Sequence, residues 1–96
     1  MSIQRRVALI GSGEGPWVST QGLRQPRVKV TGMKAGGAVI VTVCDSPQGF
    51  HRETSKQFRF EENGIHLLEE APWMRVECSG GGRGVICDIL TKKAVA

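Results

Sequence analysis

The sequence predicts an all-β chain: a single small β-sandwich, jelly-roll or immunoglobulin-like, of about eight short antiparallel strands. Three observations carry that expectation. Apolar residues recur with period two in several short runs. No window of a dozen residues shows the i, i+3, i+4 spacing of an amphipathic helix. Thirteen glycines and four prolines fall between the apolar runs, where they punctuate strands rather than interrupt helices. With 96 residues and no internal repeat or linker, residues 1–96 are read as one domain. A composition 40% hydrophobic and 23% charged is not that of a disordered chain.

Taken in order, residues 1–6 are expected to form a flexible or partner-docking N-terminal arm. Arg5 and Arg6 precede an apolar run at 7–10 that is shorter than the roughly 7–15 residues of a signal peptide. No secretion signal is predicted, and no apolar run nears the roughly 18 residues of a membrane span. Gly11, Ser12, Gly13, Glu14 and Gly15 then suggest a phosphate cradle. That motif needs a helix directly after the glycines, to receive the phosphate at its N-terminus. Here Pro16, Trp17, Val18, Ser19 and Thr20 read as extended chain, no Gly-Lys-Ser/Thr occurs, and Glu14 would repel phosphate. The loop is read as a connector.

In residues 27–30 the valines alternate with Arg27 and Lys29, and in 39–43 three valines share one face opposite Ile40 and Thr42. Phe58 and Phe60 are expected inward around Arg59. Asn63 and Gly64 mark a tight turn because both tolerate positive φ, and a short strand is expected over 64–68. The one helix-tolerant stretch, 65–71, is closed by Pro72. Residues 73–90 read as a hairpin about Gly81 and Gly82, with Met74, Val76 and Cys78 facing the core. That register sets Cys78 opposite Val85 and Val76 opposite Cys87, leaving the thiols unpaired.

Little in the chain points to chemistry. Cys44, Cys78 and Cys87 are odd in number and lack a C-x-x-C spacing, so neither a disulfide framework nor a metal or redox site is expected. His51 and His66 have no companion motif, and Glu61, Glu62, Glu69 and Glu70 read as solvated turn residues. No catalytic residue, cofactor or metal is expected. The net charge of +4 is uneven: residues 1–44 carry six basic groups against Glu14 alone, whereas 45–96 carry seven basic and eight acidic. A basic half suits nucleic acid or an acidic protein surface, and equally a solvated face. An OB-like nucleic-acid binder needs exposed stacking aromatics. This chain has no tyrosine, and its two tryptophans each sit beside apolar residues, so nucleic acid is the less favoured partner.

The strings "VKVTGMKAGGAVIVTV", "FRFEENGIHLL" and "APWMRVECSGGGRGVICDIL" together resemble small all-β virion proteins of tailed bacteriophages, the capsid decoration (cement) and head-fibre-like domains. The matching pieces are residues 28–43, 60–64 and 72–89, within a likeness spanning 17–90. The resemblance implies a structural protein docked on the capsid exterior after synthesis in the host cytoplasm. It implies the major capsid protein as partner, and a homo-oligomer (dimer or trimer) that braces neighbouring coat subunits. Candidate interface residues are Ile3, Arg5, Arg6, Trp17, Met33 and Trp73, with core burial the competing role for most. The alternatives are a glycan-binding module of a tail or baseplate and the OB-like nucleic-acid binder.

Overall fold

The computed structural model describes residues 3–46, 55–80 and 82–93. Its strands are β1 (Ile3–Ile10), β2 (Gly13–Glu14), β3 (Val18–Ser19), β4 (Leu23–Thr31), β5 (Ala38–Cys44), β6 (Lys56–Phe60), β7 (Gly64–Leu67), β8 (Trp73–Ser79) and β9 (Ile86–Lys93). They form two antiparallel sheets. The first has the order β1-β9-β4-β7, and the second β2-β8-β5-β6 with β3 also on β8. β2 meets the end of β8 at Cys78 and Glu77, and β3 meets its start at Met74 and Trp73. Between them the Gly15 amide donates to the Val76 carbonyl at 2.8 Å. β2 and β3 are therefore one edge strand interrupted at Pro16 and Trp17, which leaves eight strands in effect among the described residues.

The pairing is concentric: β1 with β9, β2/β3 with β8, β4 with β7, β5 with β6. A long hairpin wound round itself gives this order, which is that of a jelly roll. An immunoglobulin-like sandwich would set the last strand beside the one before it. Here β9 lies between β1 and β4. A five-stranded OB barrel is likewise not this topology.

Alternation builds the core as the sequence predicts. Val28 and Val30 of β4, Val39 and Val41 of β5, Met74 and Val76 of β8, and Cys87 and Ile89 of β9 are buried between the sheets. Thr42, on the outer side of β5, is covered as well, with Gln57 Nε2 donating to its hydroxyl at 3.3 Å. β4 starts earlier than its valine pattern implies and tolerates a proline because of a bulge between Arg24 and Arg27. Gln25 there has φ 52°, and the Pro26 carbonyl accepts from the Leu68 amide at 3.0 Å.

Three expectations are corrected. Residues 3–6 are not an arm: they are the first half of β1 and pair with β9 from Ile3↔Lys92 to Arg6↔Ile89. Strand pairing uses main-chain groups, so two arginines do not prevent it. Residues 73–90 are not a hairpin. β8 lies in the second sheet and β9 in the first, so the glycine-rich segment crosses between sheets. The cause is that β8 and β9 each gain two flanking strands by separating. Val76 meets Val41 and Cys78 meets Val39, while Cys87 meets Val30 and Leu9. All three cysteines are free thiols.

Asn63 and Gly64 also join the two sheets rather than turning a hairpin, since β6 and β7 belong to different ones. Asn63 clasps the backbone of Met33: Met33 N donates to Asn63 Oδ1, and Asn63 Nδ2 donates to Met33 O, both at 2.9 Å. Asn63→Ala leaves both partly buried main-chain groups without that partner. It is expected to cost about 1–3 kcal/mol in a denaturant titration, whereas Asn63→Asp retains the acceptor and is expected to cost less.

Candidate docking face

Three adjacent rows of outward positions on the first sheet form a lattice. Across β1, β9, β4 and β7 these run Ile10–Ile86–Thr31, then Val7–Asp88–Lys29–Ile65, then Arg5–Leu90–Arg27–Leu67. Cross-strand partners share a face, so these side chains lie side by side. Among the described residues, the large apolar side chains exposed to solvent, Val7, Ile10, Ile65, Leu67 and Ile86, all belong to this lattice; Leu67 is 79% exposed and Ile10 72%. Scattered exposed aliphatics are ordinary, but their collection on one sheet face makes that face a candidate interaction surface.

Arg5, Arg27 and Lys29 are set among them, and Asp88 is the single carboxylate of the lattice. Asp88 is 2% exposed, and Arg5 Nη2 donates to its Oδ2 at 2.8 Å. Its Oδ1 has no hydrogen-bond partner among the described residues, and neither do Arg27 Nε and Nη2. All three of these atoms are buried and closed to solvent. The face is therefore apolar and cationic.

β7 supplies two of its most exposed residues by an inversion of the usual rule. Apolar–polar alternation would send Ile65 and Leu67 inward and His66 outward. The structure does the reverse. His66 stacks on Phe60, with ring centroids 4.4 Å apart, and its Nε2 lies 2.8 Å from the Glu62 carbonyl oxygen. A shift of one residue would exchange the two faces, and the Asn63 clasp on Met33 holds the entry to β7 in place.

The outer face of the second sheet differs. Glu14, Glu77, Ile40 and Arg59 form one row, and Arg75, Thr42 and Gln57 another. The Arg75 guanidinium lies 4.6 Å from the Trp17 ring centroid and its Nη1 is 3.3 Å from Glu14 Oε1. That face is mostly self-satisfied.

The sequence-derived interface candidates are not brought together. Arg5 lies on the docking face. Arg6, the next residue, pairs with Ile89 and belongs to the opposite side of the same sheet. Trp17 and Trp73 are half-buried at the β3–β8 edge of the second sheet. Met33 is a core residue, 7% exposed, which corrects its assignment to an interface. Ile3 is placed in β1, while its side chain and His51 lie outside the described residues. Sequence reasoning missed Ile65, Leu67 and Ile86. The missing information was which face of each strand a second sheet would cover. Arg27 and Lys29 were legible as outward from their alternation with valines.

Among the described residues, no three His, Cys, Asp or Glu side chains converge as metal ligands do. Cys87 is fully buried; that burial, the neighbouring Cys78 and the Asp88 carboxylate push its pKa up to about 12 from 9.0. The fold thus favours the neutral thiol, while the unfolded chain ionises it near pH 9. Its stabilising contribution is complete below pH 9 and is lost as the pH rises towards 12. In the steepest case the loss is about 1.4 kcal/mol per pH unit. Denaturant titrations of Cys87→Val beside the parent protein across that window are expected to show a shallower decline in the variant.

Known protein families, curated proteins and solved structures were all compared with the chain, and none matches it.

Proposed function

We propose that this chain is a non-enzymatic structural virion protein of the capsid-decoration type. It lays the outer face of the β1-β9-β4-β7 sheet against coat subunits and braces them. The observation that carries the reading is the gathering of Val7, Ile10, Ile65, Leu67 and Ile86 with Arg5, Arg27 and Lys29 on that one face. Apolar area buried on docking supplies affinity at about 25 cal/mol per Å² before association costs. The cations select an acidic coat patch and speed encounter with it. Jelly rolls serve in viral capsids, but also in lectins and cupins, so the fold alone adds only analogy. A homo-oligomer of two or three copies would present several such faces to neighbouring coat subunits.

The cations of this face are interleaved with aliphatic side chains rather than the stacking aromatics on which single strands are held. That favours a protein partner over nucleic acid. Mass spectrometry of purified virions is expected to find the chain in fixed proportion to the major coat protein. Added to shells stripped of it, the protein is expected to co-sediment, and to do so less as salt rises. Absence from virions would overturn the proposal.

A further inference from the structure

A second feature, which shares only Arg5 with the docking face, lies where β1 and β9 of the first sheet meet β3 of the second. A cavity of about 330 Å³ opens there, lined by Arg6, Val18, Ser19, Leu23, Ile89 and Thr91, with Arg5 and Thr20 completing the wall. Val18 and Ile89 are core residues and form an apolar floor. Thr20 has spent its hydroxyl on the Ala71 carbonyl.

The cation of the cavity is Arg6. Its cross-strand partner is Ile89, so it leaves β1 on the interior side of the sheet, yet it remains exposed. Its guanidinium must therefore run out along the cavity mouth. Arg5 is already bound to Asp88. Arg6 has no ion pair or side-chain hydrogen bond among the described residues, and no carboxylate lines the cavity. An inward-pointing charge also guards an edge strand against unwanted pairing, which is the competing role for Arg6. That role needs no cavity beside the charge, and here there is one of ligand size.

The geometry points to a binding site for a small amphipathic carboxylate: an anionic head held by Arg6 at the mouth, and a short aliphatic body laid on Val18, Leu23 and Ile89. A guanidinium takes a carboxylate through two parallel hydrogen bonds, which makes the head group specific. The same chemistry is presented by a free short-chain acid and by a peptide ending in an apolar residue.

Nuclear magnetic resonance titrations of the full chain separate these. The probes are hexanoate, hexanol, hexylamine, and an acetylated tripeptide ending in a free leucine carboxylate. Saturable shifts confined to amides near residues 6, 19, 23, 89 and 91 are expected with hexanoate, the peptide or both, and the responding probe identifies the source. Arg6→Gln is expected to weaken that binding at least tenfold. Leu23→Trp, which fills the cavity, is expected to abolish it, and Arg83→Gln, on the crossing between β8 and β9, to leave it unchanged. Correct folding of each variant is read from the unchanged remainder of its spectrum. The inference is overturned if neither carboxylate saturates, if hexanol binds as tightly as hexanoate, or if Arg6→Gln binds like the parent. None of these outcomes bears on virion docking.

Discussion

Replacing Gly15 with alanine is expected to lower the melting temperature by more than about 10 °C, at roughly 4–8 °C per kcal/mol for a domain of this size. A Cβ at that position would stand 2.1 Å from the Ala8 carbonyl oxygen and 3.2 Å from that of Val76. Both are main-chain atoms of paired strands and cannot swing aside as a flexible side chain would. Relief requires β1 to move away from the interrupted edge strand, which breaks the seam between the sheets. Gly32 makes a second such contact: its φ is +72°, and a Cβ there would lie 2.1 Å from the Gly84 carbonyl oxygen. Gly32→Ala is expected to be at least as damaging. Gly13 is the control, because a Cβ there meets nothing within 4 Å and only its φ of +118° is unfavourable. Gly13→Ala is expected to cost about 1–2 kcal/mol. Equal melting temperatures for the Gly13 and Gly15 variants would show that the seam yields freely.

On the proposed docking role, the double substitution Ile65→Glu, Leu67→Glu is expected to weaken co-sedimentation with coat shells more than 100-fold while leaving the fold intact. Leu67 is 79% exposed and Ile65 55%, so neither supports the core. Burying each on docking contributes up to about 1.5–3 kcal/mol, and each 1.4 kcal/mol is tenfold in affinity. Acids at these positions also repel an acidic coat patch. Within the monomer they are favourable, because position 65 faces Lys29 and position 67 faces Arg27 across the strand pair. Melting temperature is therefore expected to hold or rise slightly as co-sedimentation is lost. Retained co-sedimentation would move the docking surface elsewhere. The opposite sheet, with Trp17, Arg75 and Glu14 already engaged with one another, would then be the face to test.

The answer to the glycine-rich stretch at 11–15 divides sequence from structure. That no helix follows it was plain from Pro16 and the extended residues after it. That Gly15 must be glycine was not, because the atoms it would strike belong to Ala8 and to Val76, which is 61 positions further along the chain. The Asn63–Gly64 pair is similar. Its turn propensity was legible, but a local turn serves a hairpin or a crossing between sheets equally well.

The candidate face was legible only in part. Arg27 and Lys29 were assigned outward because Val28 and Val30 had to go inward. Residues 64–68 were legible as a short strand but not in their facing: Ile65 and Leu67 flank a histidine, and in the fold His66 takes the inward place on Phe60.

By itself the amino-acid sequence determined the all-β class, most strand positions and the inward valines. Each of these follows from side-chain period and from turn residues, which act within a few positions of themselves. Only the tertiary structure decided that β8 and β9 part company, that residues 3–6 are strand, and that one outer face collects the exposed aliphatics with the cations. Those outcomes depend on which strands become neighbours. Neighbour choice is set by burial summed over both sheets at once, a quantity that no local stretch of sequence contains.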